Sequence, residues 1–138
     1  MSNVTHLSPQ ESYDFLQREP KASFIDIRSS MEYLFVGHPK GAVHIAWIDE
    51  PDWEINPNFV KEVSRTVEKK AKSDPKEAPI VLICRSGVRT LEAAEVLEDA
   101  GFNNIIHVVE GFEGERDDDF HRSTMGGWRF RGLPWEQC

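Results

Sequence analysis

The chain has 138 residues, which suits one domain of ordinary size and is too short for two well-cored ones. Hydrophobic residues make up 39% and charged residues 29%, the balance of a globular rather than a disordered protein. Lys and Arg total 16 against 24 Asp and Glu, and the net charge of −8 argues against nucleic acid or an anionic membrane held through bulk charge.

No apolar run approaches the ~20 residues of a membrane span. The opening Met1-Ser2-Asn3-Val4-Thr5-His6 lacks the charged and apolar regions of a signal peptide. Two cysteines, Cys84 and Cys138, supply neither a disulfide framework nor a metal-ligand spacing. A cytoplasmic, reduced setting without a bound metal is expected.

Ser8-Pro9-Gln10-Glu11 has the form of a capping box with proline at the first helical position, and predicts a short helix to about Gln17. Ser23-Phe24-Ile25-Asp26-Ile27 reads as a short buried strand. Ser29 or Ser30 is placed to cap a brief helix through Glu32 and Leu34, ended by Gly37-His38-Pro39. Ala42 to Ile45 is another short strand. A turn-rich stretch from Asp49 to Asn58 closes on Asn56-Pro57, an N-cap followed by proline. Phe59, Val63, Val67 and Ala71 then fall four apart, the buried stripe of an amphipathic helix. Lys61, Glu62, Arg65, Glu68 and Lys69 make its solvated face, and Ser73-Asp74-Pro75 ends it.

Pro79-Ile80-Val81-Leu82-Ile83 is the strongest strand, a continuous apolar run suited to a central parallel position covered on both faces. Leu91, Ala94, Leu97 and Ala100 form the apolar side of a helix closed by Gly101, and Asn104 to Val109 gives one more strand. This alternation implies an α/β fold: one domain over 1–138, a mainly parallel central sheet and helices on both faces. After Gly111 the acidic run Glu113 to Asp119 and Gly126-Gly127 predict a long polar loop over about 111–127. Trp128, Phe130, Leu133 and Trp135 are then anchors that dock the tail, 128–138. Trp47 and Trp53 read as further core anchors.

Ligands of open α/β sheets bind beyond the carboxyl ends of the strands. There the best strand runs into Cys84-Arg85-Ser86-Gly87-Val88-Arg89-Thr90, between Ile83 and the next helix. Unpaired N–H groups and the positive end of a helix dipole lower a thiol pKa and hold an anion. Gly87 allows successive N–H groups to converge, and Arg85 and Arg89 add positive charge to an otherwise acidic chain. The segment therefore suits a thiolate facing a small anion.

At these residues the chain resembles the single-domain rhodanese-type sulfurtransferases. The resemblance extends over Phe24-Ile25-Asp26-Ile27-Arg28, Glu32-Tyr33, Gly37-His38, Gly41-Ala42 and Ile45, the 84–90 loop, and the closing Gly127-Trp128 and Gly132-Leu133-Pro134-Trp135. It implies a Cys84 nucleophile that takes a sulfane sulfur from an anionic donor such as thiosulfate and passes the persulfide sulfur to a thiophilic acceptor. Residues 85–89 would stabilise the transferred sulfur and the donor oxygens, with Thr90 completing the loop. No cofactor is implied. A sulfur-carrier protein is a further candidate acceptor, and the rival reading is a protein-to-protein relay or partner-binding module with little thiosulfate turnover. Related phosphatases and arsenate reductases carry Cys-x5-Arg, whereas here the arginine, Arg89, comes one position sooner, a tighter cradle suited to sulfur.

Asp26 and Arg28 read first as a structural salt bridge within the fold, and otherwise as an ion pair that supports the loop or a charge at its mouth that attracts anions. His38 is expected to order a turn; His6, His44 and His107 show no pattern beyond ordinary polar positions. Cys138 reads as an exposed terminal thiol, and the 113–119 segment as a solvated loop or one wall of the site.

Overall fold

The computed structural model describes residues 4–71 and 74–138. Five strands, β1 (Thr5–Leu7), β2 (Ser23–Asp26), β4 (Val43–His44), β7 (Ile80–Ile83) and β8 (Ile105–Val108), form the central sheet in the order β1-β8-β7-β2-β4. Every pairing in it is parallel, so the sheet is parallel throughout. Two small antiparallel pairs flank it: β3 (His38–Pro39) with β9 (Trp135–Glu136), and β5 (Ile48–Asp49) with β6 (Glu54–Ile55).

Side chains alternate across a strand, and β7 distributes them to two separate cores. Ile80, Leu82 and the following Cys84 join a cluster with Phe59, Val63 and Val67 of α2 (Phe59–Lys70) and Ala93, Ala94 and Leu97 of α3 (Arg89–Asp99). Val81 and Ile83 face Phe112, Trp128 and Leu133, with Tyr13 and Leu16 of α1 (Pro9–Arg18) packed against them. Helices thus cover both faces, and the buried run of β7 has the central place its composition demands.

The capping box at Ser8 is reciprocal: Ser8 Oγ accepts from Glu11 N at 3.1 Å and Glu11 returns a carboxylate oxygen to Ser8 N at 2.9 Å. Ser29 pairs with Glu32 in the same way, opening a π-helical turn at Glu32–Val36. Asn58, not Asn56, precedes α2; Asn56 instead ties the approach together, accepting from Asn58 N and donating to Ala46 O and Glu62. The predicted helix stop at Ser73 lies outside the described residues.

Four expectations need correction, and one element was missed. The edge strand β1 was not anticipated, because Thr-His-Leu has no strand-like pattern of its own. Leu91 faces solvent, since α3 docks through Thr90, Ala93, Ala94 and Leu97. Trp53 is 56% exposed and anchors nothing. Within the tail, Trp128 and Leu133 are buried while Phe130 and Trp135 remain substantially exposed. The segment from Gly111 to Gly114 is also buried, so solvated chain begins only at Glu115.

Candidate active site

Cys84 follows β7 directly, and residues 84–88 connect it to the N-terminus of α3. The cysteine is 1% exposed. Gly87, at φ +95°, turns its N–H onto Cys84 Sγ at 3.3 Å. That φ is in the region where glycine carries no steric penalty. The N–H groups of Ser86 and Val88 have no backbone acceptor among the described residues, and no side chain caps α3. An uncapped helix start leaves its N–H groups available to an anion.

The outer side of the loop is fastened to the segment after β8. Phe112 N–H donates to Cys84 O at 2.7 Å, and the N–H groups of Glu113 and Gly114 donate to Arg85 O at 2.9 and 3.2 Å. Gly111 permits this approach: at φ +66°, a Cβ there would lie 2.5 Å from Cys84 O. Phe112 is fully buried, and the Arg28 guanidinium carbon sits 4.5 Å from its ring centroid. Arg28 and Asp26 are themselves completely buried and joined by Nη2–Oδ2 at 2.7 Å and Nε–Oδ1 at 3.0 Å. Neither group reaches the mouth; they brace the loop from below through Phe112.

The two loop arginines have different surroundings. Arg89 grips Glu32 with two bonds of 2.8 and 2.9 Å. Burial opposes the Glu32 charge, but the Arg89 guanidinium and the Ser29 N–H overcome it and hold the carboxyl at about 2. Arg89 was expected to add positive charge facing a ligand; its charge is instead committed to Glu32. Arg85 is exposed with no carboxylate partner among the described residues, Ser86 is half-buried, and Val88 is 66% exposed.

Thr90 and His107 lie under the thiol. Cys84 Sγ is 3.7 Å from Thr90 Oγ1, which is 2.5 Å from His107 Nδ1; the imidazole tautomer decides which of that pair donates. Burial and the neighbouring His6 lower the His107 pKa to about 4, so it is neutral at pH 7. Sequence reasoning passed over His107. Its one signal was a polar ring inside the otherwise apolar run Ile105 to Val109. Glu32, Gly111 and Phe112 were also not identified as parts of the site. His38 does order a turn, with Nδ1 2.9 Å from Tyr33 O and its ring stacked on Tyr33 at 3.9 Å. Cys138 is exposed, its N–H directed at Leu34 O. Among the described residues no group of three or more His, Cys, Asp or Glu could hold a metal ion, and no helix is long and apolar enough to cross a membrane.

The profile of the rhodanese-like domain family matches residues 8–116, most of the chain and the whole of the 84–90 loop. The chain belongs to the rhodanese-like domain family. This rhodanese-like domain is similar to the crystal structure of Rv0390 from M. tuberculosis, with a TM-score of 0.84 and 34% identity over 99% of this chain and 100% of that one. An uncharacterized protein of Rickettsia conorii is 28% identical over 97% of this chain and 98% of its own length. The thiosulfate sulfurtransferase GlpE of Haemophilus influenzae is 29% identical over 78% of this chain and 84% of its own.

Proposed function

We propose that this rhodanese-like domain is a sulfurtransferase in which Cys84 carries the sulfur. The observation that carries the reading is the Gly87 N–H directed at Cys84 Sγ in a loop held tightly on its outer side. The similarity to GlpE supports the same reading and points to thiosulfate as a donor.

The Cys84 thiolate attacks the outer sulfur of thiosulfate. A new S–S bond forms, the thiosulfate S–S bond breaks, and sulfite leaves with the electron pair. The terminal sulfur of the persulfide then lies over the N–H groups of residues 85–89, which replace its lost hydration. An acceptor thiolate attacks that sulfur, and Cys84 departs as thiolate. Two half-reactions through one covalent intermediate give ping-pong kinetics. No cofactor enters, and the chemistry suits the cytoplasm.

Intact mass with peptide mapping tests this. After exposure of reduced protein to thiosulfate, one added sulfur is expected on the peptide containing Cys84 and none in Cys84→Ser. Sulfur retained by the serine variant would end the assignment. Loading from a partner persulfide but not from thiosulfate would favour the protein-to-protein relay.

A further inference from the structure

The arginines around Cys84 divide into two groups. Arg28, Arg89 and Arg129 each face a carboxylate: Asp26 at 2.7 Å, Glu32 at 2.8 Å and Glu113 at 4.0 Å. Arg85, Arg116 and Arg122 have no carboxylate within salt-bridge distance among the described residues. Arg122 is fixed through Nη1 to Gly114 O at 2.7 Å, and Gly114 is bonded in turn to Arg85 O. The Arg116 guanidinium carbon lies 5.2 Å from the Phe120 ring centroid, and that ring is 72% exposed.

Arg116, Phe120 and Arg122, together with Ser86, Glu115 and Asp117, line a cleft of about 330 Å³ beside the loop. Asp117 is turned inward, accepting from Asp119 N, His121 N and Thr124 Oγ1 at 2.9, 2.9 and 2.6 Å. Of the two carboxylates in the wall, Glu115 makes no side-chain hydrogen bond or salt bridge among the described residues. Burial lowers the Arg122 pKa, and Arg85 and Arg116 add to that, while the more distant carboxylates of Glu113 and Glu32 oppose it without reversing it. Arg116 and Arg122 share the lining with Glu115 and Asp117; the Asp117 charge is taken up by its three hydrogen bonds, and Arg85 beside the cleft tips the local balance toward an anion.

The position is as informative as the charge. Ser86 belongs to the cleft and lies two residues from Cys84, so the cleft adjoins the loop that carries the sulfur. The cleft is shallow and open, and its space of about 330 Å³ is more than a thiosulfate or sulfite ion fills, so it has room for a small molecule larger than the donor.

We propose that this cleft is the acceptor subsite, taking a small thiol with two or more carboxylates that sit between Arg116 and Arg122. The proposal rests on the sulfurtransferase reading of Cys84. The acceptor loses its thiol proton to solvent and its sulfur attacks the outer persulfide sulfur. The Cys84–S bond breaks, and its electron pair returns to Cys84 as thiolate. No external oxidant is needed.

The test loads the full chain with sulfur and follows its discharge by intact mass with mercaptosuccinate or with 2-mercaptoethanol. The ratio of the two rates in one protein cancels any general change in folding or in Cys84 reactivity. Arg116→Glu and Arg122→Gln are each expected to lower that ratio about tenfold, and Glu115→Gln to raise it. A ratio unchanged in both arginine variants overturns the proposal. A second arm titrates the unloaded protein with tricarballylate, a thiol-free tricarboxylate, and reads amide shifts by NMR. Shifts are expected at Ser86, Phe120 and Arg122, diminished in Arg116→Glu; none at these positions overturns the subsite. Failure to load from thiosulfate and polysulfide alike removes the sulfurtransferase reading and the acceptor role with it, while shifts with tricarballylate would still mark an anion site.

Discussion

Beneath Cys84 the polar groups are buried and, with one exception, partnered. Asp26 holds Arg28, Thr90 meets His107, and Gly87 faces the thiol itself. The exception, Arg28 Nη1, has no hydrogen-bond partner, and its guanidinium lies over the Phe112 ring. Above Cys84 the pattern reverses: Arg85, Arg116 and Arg122 make no salt bridge among the described residues, while Val88 and Phe120 expose apolar surface. A paired, desolvated floor fixes geometry, because every departure leaves a buried group unsatisfied. An unpaired, wet rim fixes little, and its charges remain available to whatever arrives. Substitutions in the floor should therefore be read in stability, and substitutions in the rim in selectivity.

The largest effect is expected at Asp26. Asp26→Asn leaves a buried guanidinium without its counter-charge, which costs about 3–5 kcal/mol. Urea unfolding measures it. A loss below about 1 kcal/mol would mean that the pair behaves like a surface ion pair and that the floor is less dry than its burial indicates.

A smaller effect, set by pH, is expected from His107. Its pKa is near 4 in the folded chain against an ordinary 6.5, so the unfolded chain binds a proton that the folded chain refuses. Stability is then full above pH 6.5 and falls as pH drops toward 4. Glu32 acts in a lower window: held at about 2, it contributes fully above its ordinary 4.5 and loses that contribution only as pH falls toward 2. The interval between about 6.5 and 4.5 thus isolates His107, with an expected loss of about 2–3 kcal/mol. Unfolding curves across that interval should slope in the native chain and flatten in His107→Gln. Equal slopes would show that the imidazole is hydrated.

What could be read from the sequence was local. The Ser8 box, the apolar run of β7 and the Cys84–Thr90 loop declare themselves within a few residues, because caps, strand burial and turn glycines act over that range. The contacts that were missed join distant positions: Arg89 to Glu32 across 57 residues and Thr90 to His107 across 17. Leu91 was misassigned for a related reason. Its spacing fits an apolar stripe, but the docking of α3 on the sheet chose the adjacent phase through Ala93 and Ala94. Gly111 and Phe112 belong to the site only because the chain after β8 folds back onto the loop, which no nearby pattern announces.

The smallest effect is the one that separates floor from rim most directly, because it compares two arginines of the same loop. Arg89 is bound to Glu32 with good geometry, so Arg89→Gln and Glu32→Gln should each loosen the loop and slow sulfur loading from thiosulfate and from a neutral organic trisulfide by similar factors. Arg85 has no such partner. Its replacement by Gln should lower the ratio of thiosulfate to trisulfide loading by about tenfold, roughly 1.4 kcal/mol, and this loss should shrink as salt screens the exposed charge. The opposite result, with selectivity lost at Arg89 and not at Arg85, would mean that Glu32 releases its partner when a donor binds. The division would then lie between free and bound states of one side chain rather than between two layers of the site.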